Sequence, residues 1–241
     1  MTKSAFFIPL VVFLLFPSCA ARINGSLQGD GQADLAIYAS LEPRMTALLQ
    51  ALASVSGTAK PGANLLDGAA ITASMAAAPG IASVSLKNSA PAAIEGPVKI
   101  ARVGDFLASG AGKRSFIGFE QNPASGEGRC TVSLSLDSGP EILSLFSPDI
   151  GIYLSALMAP LATGEAMTRA AYLALVGTVY GKGIADEISG AAVQVIIDFP
   201  APVQKAEGGT FSGRRAEFSI PLLDILVLET PLNYEVTWRR Q

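Results

Sequence analysis

Histidine is absent from all 241 residues. With it go the commonest general base, the commonest metal ligand and every Ser-His or Cys-His catalytic pair. Charge is scarce too: Asp, Glu, Lys and Arg make up 15% of the chain, for a net charge of -3. Such a chain has no basic footprint for nucleic acid, and no run of like charges marks an interaction tail. Aromatics are 7%, with a single Trp, which leaves little to line a carbohydrate site. The local signatures of phosphate and nucleophile chemistry are missing as well. In "GAGKRS", residues 110–115, Leu107 and Arg114 stand where a phosphate loop needs Gly and Ser/Thr. In "GGTFSG" the Ser is displaced from a nucleophile elbow, and no Lys follows a Ser by three places. Asp30 and Asp34 flank a turn without the other acidic ligands of a calcium loop. Only paired carboxylates remain, Asp186 with Glu187 or Asp224 with Glu229, which could serve a hydrolase. The expectation is a non-enzymatic protein with no cofactor, no metal and no nucleic-acid partner, a carboxylate hydrolase being the lesser alternative.

What the chain does have is hydrophobic residues, half of the total and enough for a sizeable core. The first block of them lies at the N-terminus. Lys3 precedes an apolar stretch of 12 residues, Ala5 to Phe16, which fits a secretory signal and is too short to span a bilayer. Pro9 and Pro17 interrupt it as a helix. The stretch ends in Leu15-Phe16-Pro17-Ser18-Cys19, which resembles the lipobox of a bacterial lipoprotein precursor in its looser, spirochaete-type form. Ser18 is the small residue before the cleavage point. Leu15 stands one place further out than in the strict pattern, from which Phe16 and Pro17 also depart. The resemblance implies that residues 1–18 are a signal peptide and that Cys19 carries lipid, diacylglyceryl and palmitate-type chains. It also implies that residues 19–241 form an exported envelope domain, anchored on the periplasmic side or at the cell surface.

The cysteine count bears on the same point. With Cys19 acylated, Cys130 is left alone; the rival is a Cys19–Cys130 disulfide in an oxidising compartment. Between Arg129 and Thr131, at the start of an alternating stretch, Cys130 reads as a small core residue.

Beyond Cys19 the pattern predicts an α+β fold, an antiparallel sheet with helices packed on one face. Alternation on both sides of Gly29-Asp30-Gly31 predicts a hairpin over 22–41. Pro43 opens a helix with Met45, Leu48, Leu49, Leu52 and Val55 on one side. A second helix is predicted at 64–78, and strands at 81–87 and 98–103. The stretch "RCTVSLSLDSGPEILSLF" repeats the strand-then-helix plan, suggesting two related units, with a helix over 140–146. A long helix capped by Thr163 is predicted through Met167, Ala170, Leu173, Val176 and Tyr180. The C-terminal part reads as an antiparallel meander of strands at 191–199, 210–220, 222–228 and 232–238. "GSLQGDGQADLAIYASLEP" with "PLNYEVTW" resembles the first and last strands of LppM-type lipoproteins, which implies a β-rich, lipid-binding kind of fold.

These readings converge on a membrane-anchored envelope protein binding lipid or another apolar ligand. The expected site is a cleft between sheet and helices, lined by Leu143, Phe146, Met167, Leu173, Val176 and Tyr180. The alternative is a module that binds another envelope protein through a sheet edge or a helix face.

Overall fold

The computed structural model describes residues 19–55, 65–108, 116–122, 124–143 and 153–240. It opens with the predicted hairpin, β1 (Cys19–Leu27) and β2 (Ala33–Ser40). Gly31, at φ +84°, makes the turn, and Asp30 accepts the Gln32 N–H at 3.1 Å. Helix α1 (Pro43–Val55) follows, then α2 (Gly68–Ala76), capped by Asp67, which accepts from the N–H groups of Ala69 and Ala70. Next come β3 (Ile81–Val84), β4 (Lys87–Ala90), β5 (Ala93–Ile100) and α3 (Val103–Ala108). Strands β6 (Ile117–Asn122) and β7 (Glu127–Leu134) lead through a 3-10 turn to α4 (Gly139–Leu143). Three helices, α5 (Pro160–Thr163), α6 (Arg169–Tyr180) and α7 (Lys182–Gly190), precede β8 (Ala192–Asp198). The chain closes with β9 (Val203–Glu207), β10 (Thr210–Ser212), β11 (Arg215–Pro221), α8 (Leu222–Val227) and β12 (Leu232–Trp238).

The fold is α+β with two sheets. The larger runs β10-β11-β8-β1-β2-β5-β3, with β4 also on β5, and the smaller runs β6-β7-β12-β9. Among the described residues every pairing is antiparallel except β1 with β8. Register explains why each sheet has one wet and one dry face, since side chains alternate along a strand. In the larger sheet the cross-strand row Phe218, Val195, Ile23, Ile37 is apolar; the next row of that kind is Ala216, Ile197, Gly25, Leu35, Val98. The row between them, Glu217, Ile196, Asn24, Ala36, and the row beyond, Arg215, Asp198, Ser26, Asp34, Lys99, turn to the outer face. Arg215 pairs with Asp198 at 2.8 Å and Lys99 with Asp34 at 3.7 Å on that outer face. The smaller sheet repeats the scheme: Phe119, Cys130, Val236 and Ala206 form an inner row, and Arg129, Glu235 and Lys205 lie outside. The two inner faces meet. Helices α2 and α3 extend this core through Ile71, Met75 and Phe106.

A second core is built by helices at one end. Met45 and Leu49 of α1 pack there with Tyr172 and Val176 of α6, Ile184 and Ile188 of α7, and Leu226 and Val227 of α8. A third, small cluster gathers Phe116, Leu134, Ile142, Leu161 and Leu228.

Four readings of the sequence are corrected in detail. Residues 222–227 are helix, because Leu223, Leu226 and Val227 bury at helical spacing and a short apolar run does not betray its period. Leu228, at φ +47°, ends that helix. The cap of α6 is Thr168, which accepts the Ala171 N–H at 3.1 Å, while Thr163 ends the preceding helix against a left-handed Gly164. The C-terminal strands do not form one meander: β8 and β11 join the larger sheet and β12 the smaller. The two strand-helix units also part company, β2 and β7 lying in different sheets and their helices feeding different clusters.

Candidate functional site

Facing sheets stand about 10 Å apart, a gap that side chains must fill. Here they fill it unevenly. The smaller sheet offers the short side chains of Cys130 and Val132 opposite Val195 and Ile197 of β8, and between them lies a cavity of about 150 Å³. Phe218 and Tyr234 flank it, meeting edge to face at 5.9 Å across the sheets. Phe199 also borders the cavity and stacks at 4.8 Å on Trp238, whose other neighbour is Phe119 at 6.2 Å. The indole lies across β7 at Gly128, where any Cβ would overlap it. Its buried N–H has no hydrogen-bond partner among the described residues.

The chemistry of this cavity is that of an apolar slot. Burial pushes the Cys130 thiol up to about 11, which keeps it protonated and unreactive at neutral pH. The Tyr234 phenol is raised too, first by burial and then by the Asp224 charge. Glu235, though adjacent, turns its carboxylate to the outer face, where hydrogen bonds from Arg129 (3.2 Å) and Lys205 (3.4 Å) hold it below the usual range. The slot suits hydrocarbon.

The residues singled out from the sequence lie elsewhere. Val176 is completely buried in the helical core, and Met167, Leu173 and Tyr180 pack around that core. Tyr180 donates its hydroxyl to the Ala156 carbonyl. Leu143 belongs to the third cluster, and Phe146 lies outside the described residues. So four of the six come together, as packing around Val176, and none of the five described ones borders the inter-sheet cavity. In the sequence the cavity walls read as ordinary strand interiors. The short side chains at Cys130 and Val132 were the one available signal of a gap. Cys19 is the first residue of β1, in register with Ala192.

The acidic pairs have structural partners. Glu187 accepts the Arg44 and Met45 N–H groups at 3.1 and 2.8 Å, capping α1 from a distant helix, and Asp186 pairs with Lys182 at 2.7 Å. Asp224 and Glu229 both bind Arg169, at 2.9 and 3.4 Å. Among the described residues no group of three or more Cys, Asp and Glu could hold a metal ion. Nor is any described helix long and apolar enough to cross a membrane.

No protein-family model matches the chain, and no curated protein matches it. Among solved structures it is similar to the folded domain of LppM from Mycobacterium tuberculosis, determined by NMR. The TM-score is 0.37 at 13% identity, over 95% of this chain and 94% of that one.

Proposed function

We propose that this protein is a non-enzymatic lipoprotein of the cell envelope, held to a membrane by lipid on Cys19, that binds one apolar ligand between its two sheets. The observation that carries the binding is the hydrocarbon-lined cavity at Cys130, Val132, Val195 and Phe218. The lipobox-like stretch ending at Cys19 carries the anchor. A void of about 150 Å³ takes about six carbon atoms. A longer acyl chain would therefore continue along the half-buried inner residues Ile37, Ile23 and Val193 of the larger sheet.

The test is photolabelling of the full chain in phospholipid vesicles with a diazirine-bearing fatty acid, followed by peptide mapping. Adducts on β7, β8, β11 and β12, lost in Val195→Phe, are the expected result. Adducts confined to α6, or none, would sink the inter-sheet site; the search would then turn to protein partners in the envelope.

A further inference from the structure

Whatever holds Cys19 holds the body close. Strand β1 starts at that residue, with Cys19 opposite Ala192 and Ala21 opposite Ala39, so no spacer separates the acylation point from the sheet. A diacylglyceryl group there brings that end of the sheet to the headgroup layer, and whichever surface flanks it must rest on lipid.

That surface can be named from the topology. β2 ends at Ser40 beside the start of β1, and α1 begins at Pro43. Four residues of chain reach at most about 14 Å, so Arg44 stays near the anchor. Helix α7, which leads into β8, is tied to α1 by the Glu187 carboxylate on the Arg44 and Met45 N–H groups. Between the two helices lies an open groove of about 440 Å³, lined by Arg44, Ala47, Leu48, Tyr180, Gly183 and Ile184. The absent side chain of Gly183 makes room for Arg44, whose Cδ would lie 2.8 Å from a Cβ built there. The acidic groups of α7 are engaged by other partners, Glu187 by backbone amides and Asp186 by Lys182.

Two of the exposed large apolar side chains belong to the same end. Among the described residues the large hydrophobic groups in solvent are Tyr38, Val179 and Phe211, at 40%, 52% and 47% exposure. Tyr38 is in register with Arg22, three residues from Cys19, and Val179 adjoins the groove residue Tyr180. Tyr and Arg are the side chains that settle at a bilayer interface, apolar body inward and polar tip among headgroups.

We propose that the end of the larger sheet where β1 begins is a membrane-docking surface. The α1–α7 groove lies on the phospholipid headgroups, Arg44 contacts their phosphates, and Tyr38 and Val179 enter the interface. This rests on the reading that Cys19 carries lipid, and the experiment separates the two. The full chain, in a Cys130→Ala background, is placed in vesicles of phosphatidylethanolamine and phosphatidylglycerol. It carries an environment-sensitive fluorophore on Ala47→Cys in the groove or, in a second protein, on Ser212→Cys at the opposite end of the sheet. The mass of Cys19 peptides and loss of pelleting in Cys19→Ala report the anchor independently.

The expected result is an acylated, pelleting chain whose label at 47 is blue-shifted and protected from aqueous iodide, while the label at 212 is not. Arg44→Gln should reduce that protection about fivefold, the worth of one basic side chain at a lipid surface. An acylated, pelleting chain with both labels equally quenched overturns the docking surface and leaves the anchor standing. Protection at 47 that persists in detergent identifies a second copy of the chain as the occupant and also overturns it. An unmodified Cys19 removes the anchor, and the docking surface with it.

Discussion

Two hydrophobic interiors sit side by side in this molecule and are packed differently. In the helical core Tyr172, Val176 and Val227 have no exposure at all, and the Tyr172 hydroxyl donates to the Leu157 carbonyl at 3.3 Å. Between the sheets Cys130, Val195, Ile197 and Tyr234 are only part-buried and surround a cavity of about 150 Å³. The difference teaches that apolar composition marks where a chain collapses, whereas a ligand needs a place where collapse is incomplete. The uncharged run of α6, Ala170 to Tyr180, feeds an interior in which Tyr172 and Val176 have no exposure. The plainer alternation of β7 and β8 marks the void.

The largest effect expected from this contrast is at Tyr172. Tyr172→Ala deletes a ring from a full interior and strands the Leu157 carbonyl, so it should destabilise by about 3–5 kcal/mol. Tyr234→Ala beside the cavity should lose about half as much, its ring having fewer neighbours to lose. Urea unfolding followed by far-UV circular dichroism, with the slope unchanged, measures both. Equal losses would erase the contrast.

Adding atoms tests the same comparison from the other side and moves stability less. Ala159 in the helical core has no exposure, so Ala159→Val must displace neighbours and should cost about 1–3 kcal/mol. Val195→Ile adds a methyl group to a wall of the cavity and should be neutral or stabilise by about 0.5–1 kcal/mol. It should also weaken photolabelling by the fatty-acid probe. If Val195→Ile were as harmful as Ala159→Val, there would be no usable space between the sheets.

Much of the fold was legible because its signals are local. Gly31 with Asp30 announces the first hairpin, and Pro43 with Met45, Leu49 and Leu52 announces α1. The misread segments share a cause, which is that their state depends on distant partners. Leu222 to Val227 is helical because Leu226 and Val227 dock on α6 and α7. The parallel pairing of β1 with β8 joins residues about 170 apart in sequence, beyond any windowed pattern. The candidate site was hidden for a related reason. A cavity is a mismatch between side chains from two sheets, Val195 and Ile197 against Cys130 and Val132. Each strand alone shows only ordinary alternation. The lipobox-like run before Cys19 is contiguous and could be read directly; the groove beside Arg44 arises only when α1 and α7 meet.

The smallest effect, nil at neutral pH, separates the two interiors by titration, since each holds a buried acid. Burial raises the Cys130 thiol from 9.0 to about 11. The Tyr172 phenol goes from 10.0 to about 12, by burial first and then by the neighbouring Tyr180. In both cases the unfolded chain releases its proton at lower pH than the folded one. Their contribution is therefore fully present below the unfolded pKa and is lost as pH rises through the folded value. Stability should begin to fall near pH 9 through Cys130 and fall more steeply above pH 10, where Tyr172 joins. Cys130→Ala should remove the first part of the decline and Tyr172→Phe the second, as read from unfolding midpoints between pH 8 and 11. The same shift lowers the Cys130 thiolate fraction at pH 8 about a hundredfold relative to a thiol at 9.0. Iodoacetamide should therefore modify the folded protein correspondingly slowly, and more slowly still with the cavity filled by ligand. Fast alkylation at pH 8 would mean that water already reaches the space between the sheets, and a wet slot would not hold an acyl chain.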